Sequence, residues 1–126
     1  MTPSMTGSLK TIDANGVSFA FIEQGTGPLL LCLHGFPDHA PTFRPIMPAL
    51  ADAGYRVVAP YMKGYWPTVA PDDSPYQAAA LGLDVAALIE ALSPDQPACV
   101  FGHDWGAIAA YAAALAAPQR IRRLIV

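Results

Sequence analysis

The chain has 126 residues, 53% of them hydrophobic and 13% charged, with a formal net charge of −3. This length suits one core and excludes two ordinary domains. Lys10, Arg44, Arg56 and Lys63 are scattered and Arg120, Arg122 and Arg123 gather beside one strand, so no basic stripe marks a nucleic-acid partner.

Met1–Lys10 is polar and small, without the charged and then apolar segments of a secretory signal. Residues 1–7 read as a flexible N-terminus. Ser8–Asp13 and Val17–Glu23 follow as two strands joined by Asp-Ala-Asn-Gly, in which Asn15-Gly16 suits a tight hairpin turn. After the Gly-rich break Gln24–Pro28, Leu29–Leu33 is continuously apolar, as expected for a strand covered on both faces. The motif His34-Gly35-Phe36-Pro37 comes next. Phe43, Ile46, Met47 and Leu50 then recur at helical spacing, which predicts a helix over Thr42–Ala53 with Gly54 as its stop.

Arg56–Ala59 is the next short strand. Pro60–Pro75 holds four prolines and reads as an ordered, irregular loop in which Lys63–Thr68 is structural and Asp72 and Asp73 are solvated turn residues. Leu81, Val85, Leu88 and Ile89 predict a helix over Tyr76–Leu92. A turn at Asp95–Pro97 leads into a buried strand, Ala98–Phe101. An Ala-rich helix spans Trp105–Ala117 and ends at Pro118, and Ile121–Val126 is a final strand.

Strands alternating with helices after an opening hairpin predict an α/β fold with a mostly parallel sheet. Leu124-Ile125-Val126 leaves an apolar strand at the sheet edge, so the chain is expected to be truncated after its sixth strand and to self-associate through that unpaired edge. The apolar runs are too short to span a bilayer, so no membrane partner is expected. Cys32 and Cys99 lie in strand-like runs and read as buried free thiols, which suits a reducing, cytoplasmic setting. Neither has ligand-like neighbours, and no metal site is expected.

The chemistry concentrates at Val100–Ile108, Val-Phe-Gly-His-Asp-Trp-Gly-Ala-Ile. An apolar run, then Gly102-x-Asp104-x-Gly106, then a helical pattern describes a sharp strand-to-helix turn that presents one side chain, with aspartate at the place of the usual serine. An Asp is also favoured as a helix N-cap, but a cap does not require glycine on both sides. A carboxylate suits displacement at an alkyl carbon, such as an epoxide or carbon–halogen centre. A turn at His34–Pro37 would aim the Phe36 N–H toward the elbow beside that of Trp105, as an oxyanion hole; losing one such donor costs about 100–1,000-fold in rate. The Trp105 side chain reads equally as core packing or as facing the site. His103 reads as a buried, hydrogen-bonded structural histidine.

With these residues assembled, the chain resembles the N-terminal part of the α/β-hydrolase superfamily. H-G-F-P with G-H-D-W-G is most similar to the epoxide hydrolase branch, with the haloalkane dehalogenases next. The resemblance implies that residues 8–126 are the N-terminal portion of a core domain. It implies Asp104 as nucleophile, the backbone amides of Phe36 and Trp105 as the oxyanion hole, and a cis Phe36–Pro37 bond. His34, Gly35, Pro37, Gly102, His103 and Gly106 would support the two motifs. The implied reaction opens an epoxide through an alkyl-enzyme ester, on a small-molecule substrate and without a cofactor.

Haloalkane dehalogenases usually carry a polar residue where this chain has Phe36. Fluoroacetate dehalogenases tend to have Arg at the place of Trp105, and Lys63 stands where an Arg is common. The superfamily's base histidine, its acidic partner and the cap follow the elbow in chain order, and none of His34, His39 and His103 suits the role of base. The alternatives are a haloalkane dehalogenase-like hydrolase using the same aspartate, or a non-catalytic fragment.

Overall fold

β1 (Ser8–Ala14) and β2 (Val17–Gln24) pair antiparallel from Ser8–Glu23 to Ala14–Val17. Asn15 and Gly16 take positive φ, 52° and 77°, as a two-residue hairpin turn of this twist requires. The structure, a computed structural model, describes residues 8–126, and the expected flexible segment 1–7 lies outside the described residues.

β3 (Leu29–Leu33), β4 (Arg56–Pro60), β5 (Ala98–Gly102) and β6 (Ile121–Ile125) complete a six-stranded sheet of order β1-β2-β4-β3-β5-β6. β4, β3, β5 and β6 run parallel, while β2 meets β4 antiparallel, so the hairpin flanks a parallel sheet as predicted. β3 is buried at every position and its side chains alternate between faces. Leu29, Leu31 and Leu33 join Phe19, Phe21, Val58 and Val100 under two helices; Leu30 and Cys32 join Ile22, Val57, Ala59 and Met47 on the other face. Each fully buried aliphatic side chain of this kind contributes about 1.5–3 kcal/mol.

The helix predicted over Thr42–Ala53 is split. Ala40–Phe43 is a 3-10 turn and α1 covers only Met47–Asp52. Pro45 has no amide to donate, and its ring would clash with the carbonyl four residues back; Pro48 fits because it falls in the first turn of α1. The apolar spacing correctly identifies the inward residues Phe43 and Met47, both buried. α2 (Ala78–Leu92) starts two residues later than predicted and buries Leu81, Val85, Leu88, Ile89 and Leu92. α3 (Trp105–Ala116) buries only small residues, Gly106, Ala109, Ala110 and Ala113. It can therefore lie close to both the sheet and α2.

The proline-rich segment after β4 is ordered. Thr68 Oγ1 accepts the Ala20 N–H at 3.0 Å and donates to the Tyr61 carbonyl at 2.6 Å, and Val69 bridges to Ser18. Asp72 and Asp73 are exposed in a turn, and Cys32 and Cys99 are buried free thiols, as read from sequence. At the β6 edge Leu124 is half-buried against the core, contrary to its expected exposure, because it registers with Val100; Ile125 and Val126 are exposed.

The tightest helix contact lies at Gly82 of α2, where an added Cβ would fall 2.5 Å from Ala112 Cβ and 2.8 Å from the Ala113 nitrogen. Gly82→Val is expected to lower stability by about 1–3 kcal/mol by forcing α2 from α3. Urea denaturation would measure this, with the exposed neighbour Leu83→Ala as a near-neutral control.

Candidate active site

In the strand order the chain enters β4 on one side of β3 and then returns to β5 on the other. Such a reversal opens a crevice at the carboxyl ends of the strands. β3 and β5 are neighbours in register to their last residues, Leu33 opposite Gly102. The two motifs that follow them, 34–37 and 103–106, are therefore brought together across 68 residues of chain.

Asp104 occupies the turn between β5 and α3 with φ 58° and ψ −123°, a backbone conformation that L-residues rarely adopt. Its side chain makes no capping bond to α3, so the N-cap explanation of this aspartate does not hold. The glycines of the elbow serve close approach. A Cβ on Gly106 would lie 2.1 Å from the Leu33 carbonyl oxygen, and one on Gly102 would lie 2.6 Å from the Gly106 oxygen. Gly35 is equally constrained, because a Cβ there would be 2.4 Å from Asp104 Cβ.

The Phe36 amide donates to Asp104 Oδ2 at 2.9 Å, next to a cis Phe36–Pro37 peptide. The Phe36 amide, and after it the Trp105 amide, hold the Asp104 carboxyl below its ordinary range; the His103 charge adds to this and desolvation opposes it. The aspartate is thus an anion at neutral pH, with the Phe36 amide bonded to its carboxylate and the Trp105 amide favouring the same charge. That arrangement can attack an electrophilic carbon and then stabilise an oxyanion on the same group.

His34 is fully buried. Its Nε2 accepts the Met62 N–H at 2.9 Å, which leaves Nδ1 to donate to the Gly35 carbonyl at 2.9 Å. The ring packs edge-on against Tyr65 at 4.7 Å between centroids. His34 therefore ties the 34–36 turn to the segment after β4. His103 is exposed, which corrects its expected burial: the turn that directs Asp104 into the crevice leaves its neighbour outside, anchored through its backbone, whose N–H donates to the Leu33 carbonyl at 3.1 Å and whose carbonyl accepts the Gly106 N–H at 2.9 Å. His39 is also exposed.

Gly35, Phe36 and Trp105 form one side of a predominantly apolar cavity of about 200 Å³, and Met62, Tyr65, Tyr76 and Leu81 contribute much of the rest. Trp105 thus lines the site and is half-exposed rather than packed in the core. Burial, then the Asp104 and Asp38 carboxylates, push the Tyr65 phenol above its ordinary range. Lys63, read from sequence as part of a structural loop, also lines this cavity and is buried against Asp84 of α2. A carboxylate beside the apolar face formed by Leu81, Val85 and Leu88 is the sequence signal that calls for such a cation. Among the described residues no cluster of three metal-ligating side chains occurs, and no helix is long and apolar enough to cross a membrane.

A model of the alpha/beta hydrolase fold family matches residues 28–126. The chain is 45% identical over 125 residues to an epoxide hydrolase of Caballeronia sordidicola, covering 97% of this chain and 38% of that protein. It is 40% identical over 108 residues to the bifunctional epoxide hydrolase 2 of Sus scrofa, covering 85% of this chain and 19% of the relative. The crystal structure of an epoxide hydrolase from Vigna radiata superposes with a TM-score of 0.88 at 37% identity, over 96% of this chain and 40% of the other. This chain therefore spans about two-fifths of the length of the first and third of these proteins.

Burial holds the His34 imidazole below its ordinary value of 6.5, against the opposing effect of its bond to Gly35. Below pH 6.5 the unfolded chain binds a proton that the folded chain resists, so stability is full above 6.5 and falls as the pH is lowered beneath it. The depressed carboxyls of Glu23, Asp38 and Asp104 act in the same direction, but only below about their ordinary values of 4.5 and 3.8. Urea midpoints should therefore decline between pH 6.5 and 5, and His34→Gln should flatten that decline.

Proposed function

Because the chain belongs to the alpha/beta hydrolase fold family, we propose that it carries the alkylating half of an epoxide hydrolase, with Asp104 as nucleophile. The observation that carries this reading is an ionised aspartate held at φ 58° with its Oδ2 2.9 Å from the Phe36 amide. An Asp104 oxygen attacks an epoxide carbon. The carbon–oxygen bond of the ring breaks, and the released alkoxide takes a proton from solvent water to become a hydroxyl. The product is an alkyl-enzyme ester, and the amides of Phe36 and Trp105 are the donors that would stabilise the charge when water attacks its carbonyl carbon.

Residues 8–126 act in this reading as the N-terminal portion of the hydrolase core. The base that activates water is not among this chain's histidines: both nitrogens of His34 are engaged, and His39 and His103 are exposed. No metal or organic cofactor is called for, and the substrate is a small molecule with an apolar substituent for the cavity beside Trp105. An epoxide is favoured over a haloalkane. The Phe36 side chain has no donor for a departing halide, whereas the oxygen of an opened epoxide stays attached to its substrate.

Incubation with styrene oxide is expected to add one molecule per chain, stable and mapping to Asp104 by mass spectrometry, and faster than a matched chloroalkane. Asp104→Ala should take up none. Multiple turnover by the Asp104→Ala chain, or faster alkylation by the chloroalkane, would contradict the assignment.

Ile108, Tyr111 and Leu115 expose an apolar stripe along α3, and Ile125 and Val126 expose the β6 edge. The isolated chain is accordingly expected to self-associate at micromolar concentration, which analytical ultracentrifugation would detect. A monodisperse monomer is the opposing result.

A further inference from the structure

We propose that the buried ion pair between Lys63 and Asp84 is a positioning device, which fixes the Phe36 amide on Asp104 through Met62 and His34. Lys63 Nζ lies 2.6 Å from Asp84 Oδ2, with the two side chains 2% and 4% exposed. Asn15, in the turn between β1 and β2, donates to the other Asp84 oxygen at 2.8 Å. The pair therefore joins three separate parts of the chain: the opening hairpin, the middle of α2 and the segment after β4.

An ion pair removed so fully from water adds little net stability compared with apolar residues of the same volume, because desolvation offsets the attraction. What it supplies is direction. A cation and an anion fit in few geometries, whereas apolar side chains of equal volume slide. The residue anchored in this way directly follows Met62, whose N–H holds His34 Nε2. Across the same ring, Nδ1 holds the Gly35 carbonyl, and the next amide is that of Phe36 on Asp104. Lys63 Nζ also lies 5.1 Å from the Tyr76 ring centroid, so the same anchor sets one wall of the cavity. A shift of the 62–65 segment releases His34 and then the Phe36 amide, while the sheet and both helices stay in place.

The test uses the full chain with Lys63 and Asp84 replaced together by Lys63→Met and Asp84→Leu, an apolar pair that leaves no buried charge unpaired. Three properties are measured: the thermal midpoint, the NMR titration of the Asp104 carboxyl together with hydrogen exchange at the Phe36 amide, and the rate of alkylation by styrene oxide. The expected result is a cooperatively folded chain in which the Asp104 titration moves up toward its ordinary value of 3.8. Phe36 exchange accelerates at least tenfold, and alkylation slows about tenfold or more. A folded double variant with unchanged Asp104 titration and Phe36 exchange overturns the proposal and leaves the pair a purely structural contact.

If the double variant does not fold, Asn15→Gly decides. It removes only the amide donor to Asp84, at a φ of 52° that glycine accepts. Faster Phe36 exchange at an unchanged thermal midpoint supports the proposal, and identical exchange overturns it. The kinetic arm alone rests on Asp104 being the nucleophile. A parent chain that styrene oxide never alkylates defeats that reading, while titration and exchange still decide the role of the pair.

Discussion

The 2.9 Å hydrogen bond from the Phe36 amide to Asp104 joins the ends of two neighbouring parallel strands, and most of the site's design serves to make it possible. It requires β3 and β5 to be adjacent and in register to Leu33 and Gly102. It also requires α3 to begin almost in contact with the end of β3, which the missing side chain of Gly106 allows. A methyl group at Gly35 would occupy the space of the Asp104 side chain. Three glycines thus act through what they leave out. The backbone strain at Asp104 persists because the surroundings over-determine its position.

Around this bond the polar groups are arranged in layers of increasing burial. Asp104 is open to the crevice and gains its anionic character from two amides. Behind it lies His34, fully buried and satisfied at both nitrogens by backbone groups. Further from Asp104 along this chain of contacts is the Lys63–Asp84 pair, as buried as the apolar core around it. Both nitrogens of His34 meet backbone groups, and the Asp84 carboxylate meets the Lys63 ammonium and the Asn15 amide, as a low-dielectric interior demands. Of the aromatic residues that line the cavity, Phe36, Tyr76 and Trp105 remain exposed and give it an apolar rim.

The similarity to epoxide hydrolases extends over nearly all of this chain but only about two-fifths of the C. sordidicola and V. radiata proteins. The matched residues include the Asp104 elbow, the 34–37 turn and the sheet that aligns them. In the proposed reaction, forming an ester on Asp104 needs a pre-positioned carboxylate, whereas hydrolysing it needs a base that deprotonates water. The three histidines here are held by backbone bonds or face solvent.

What the sequence determined by itself was local. Strand period and apolar runs placed all six strands to within a residue or two, and glycine spacing identified the Asp104 elbow, because steric tolerance acts over a few residues. The prolines at 45 and 48 were equally local, and they outweigh the apolar spacing that predicts one continuous helix there. Tertiary structure alone decided which loop residues matter. Lys63 meets a carboxylate 21 positions away, His34 meets the Met62 amide, and His103 turns out to solvent while its neighbour turns in. The physical reason is that the partner of a buried polar group is chosen by which strands and helices pack together, and no spacing in the chain encodes that choice directly.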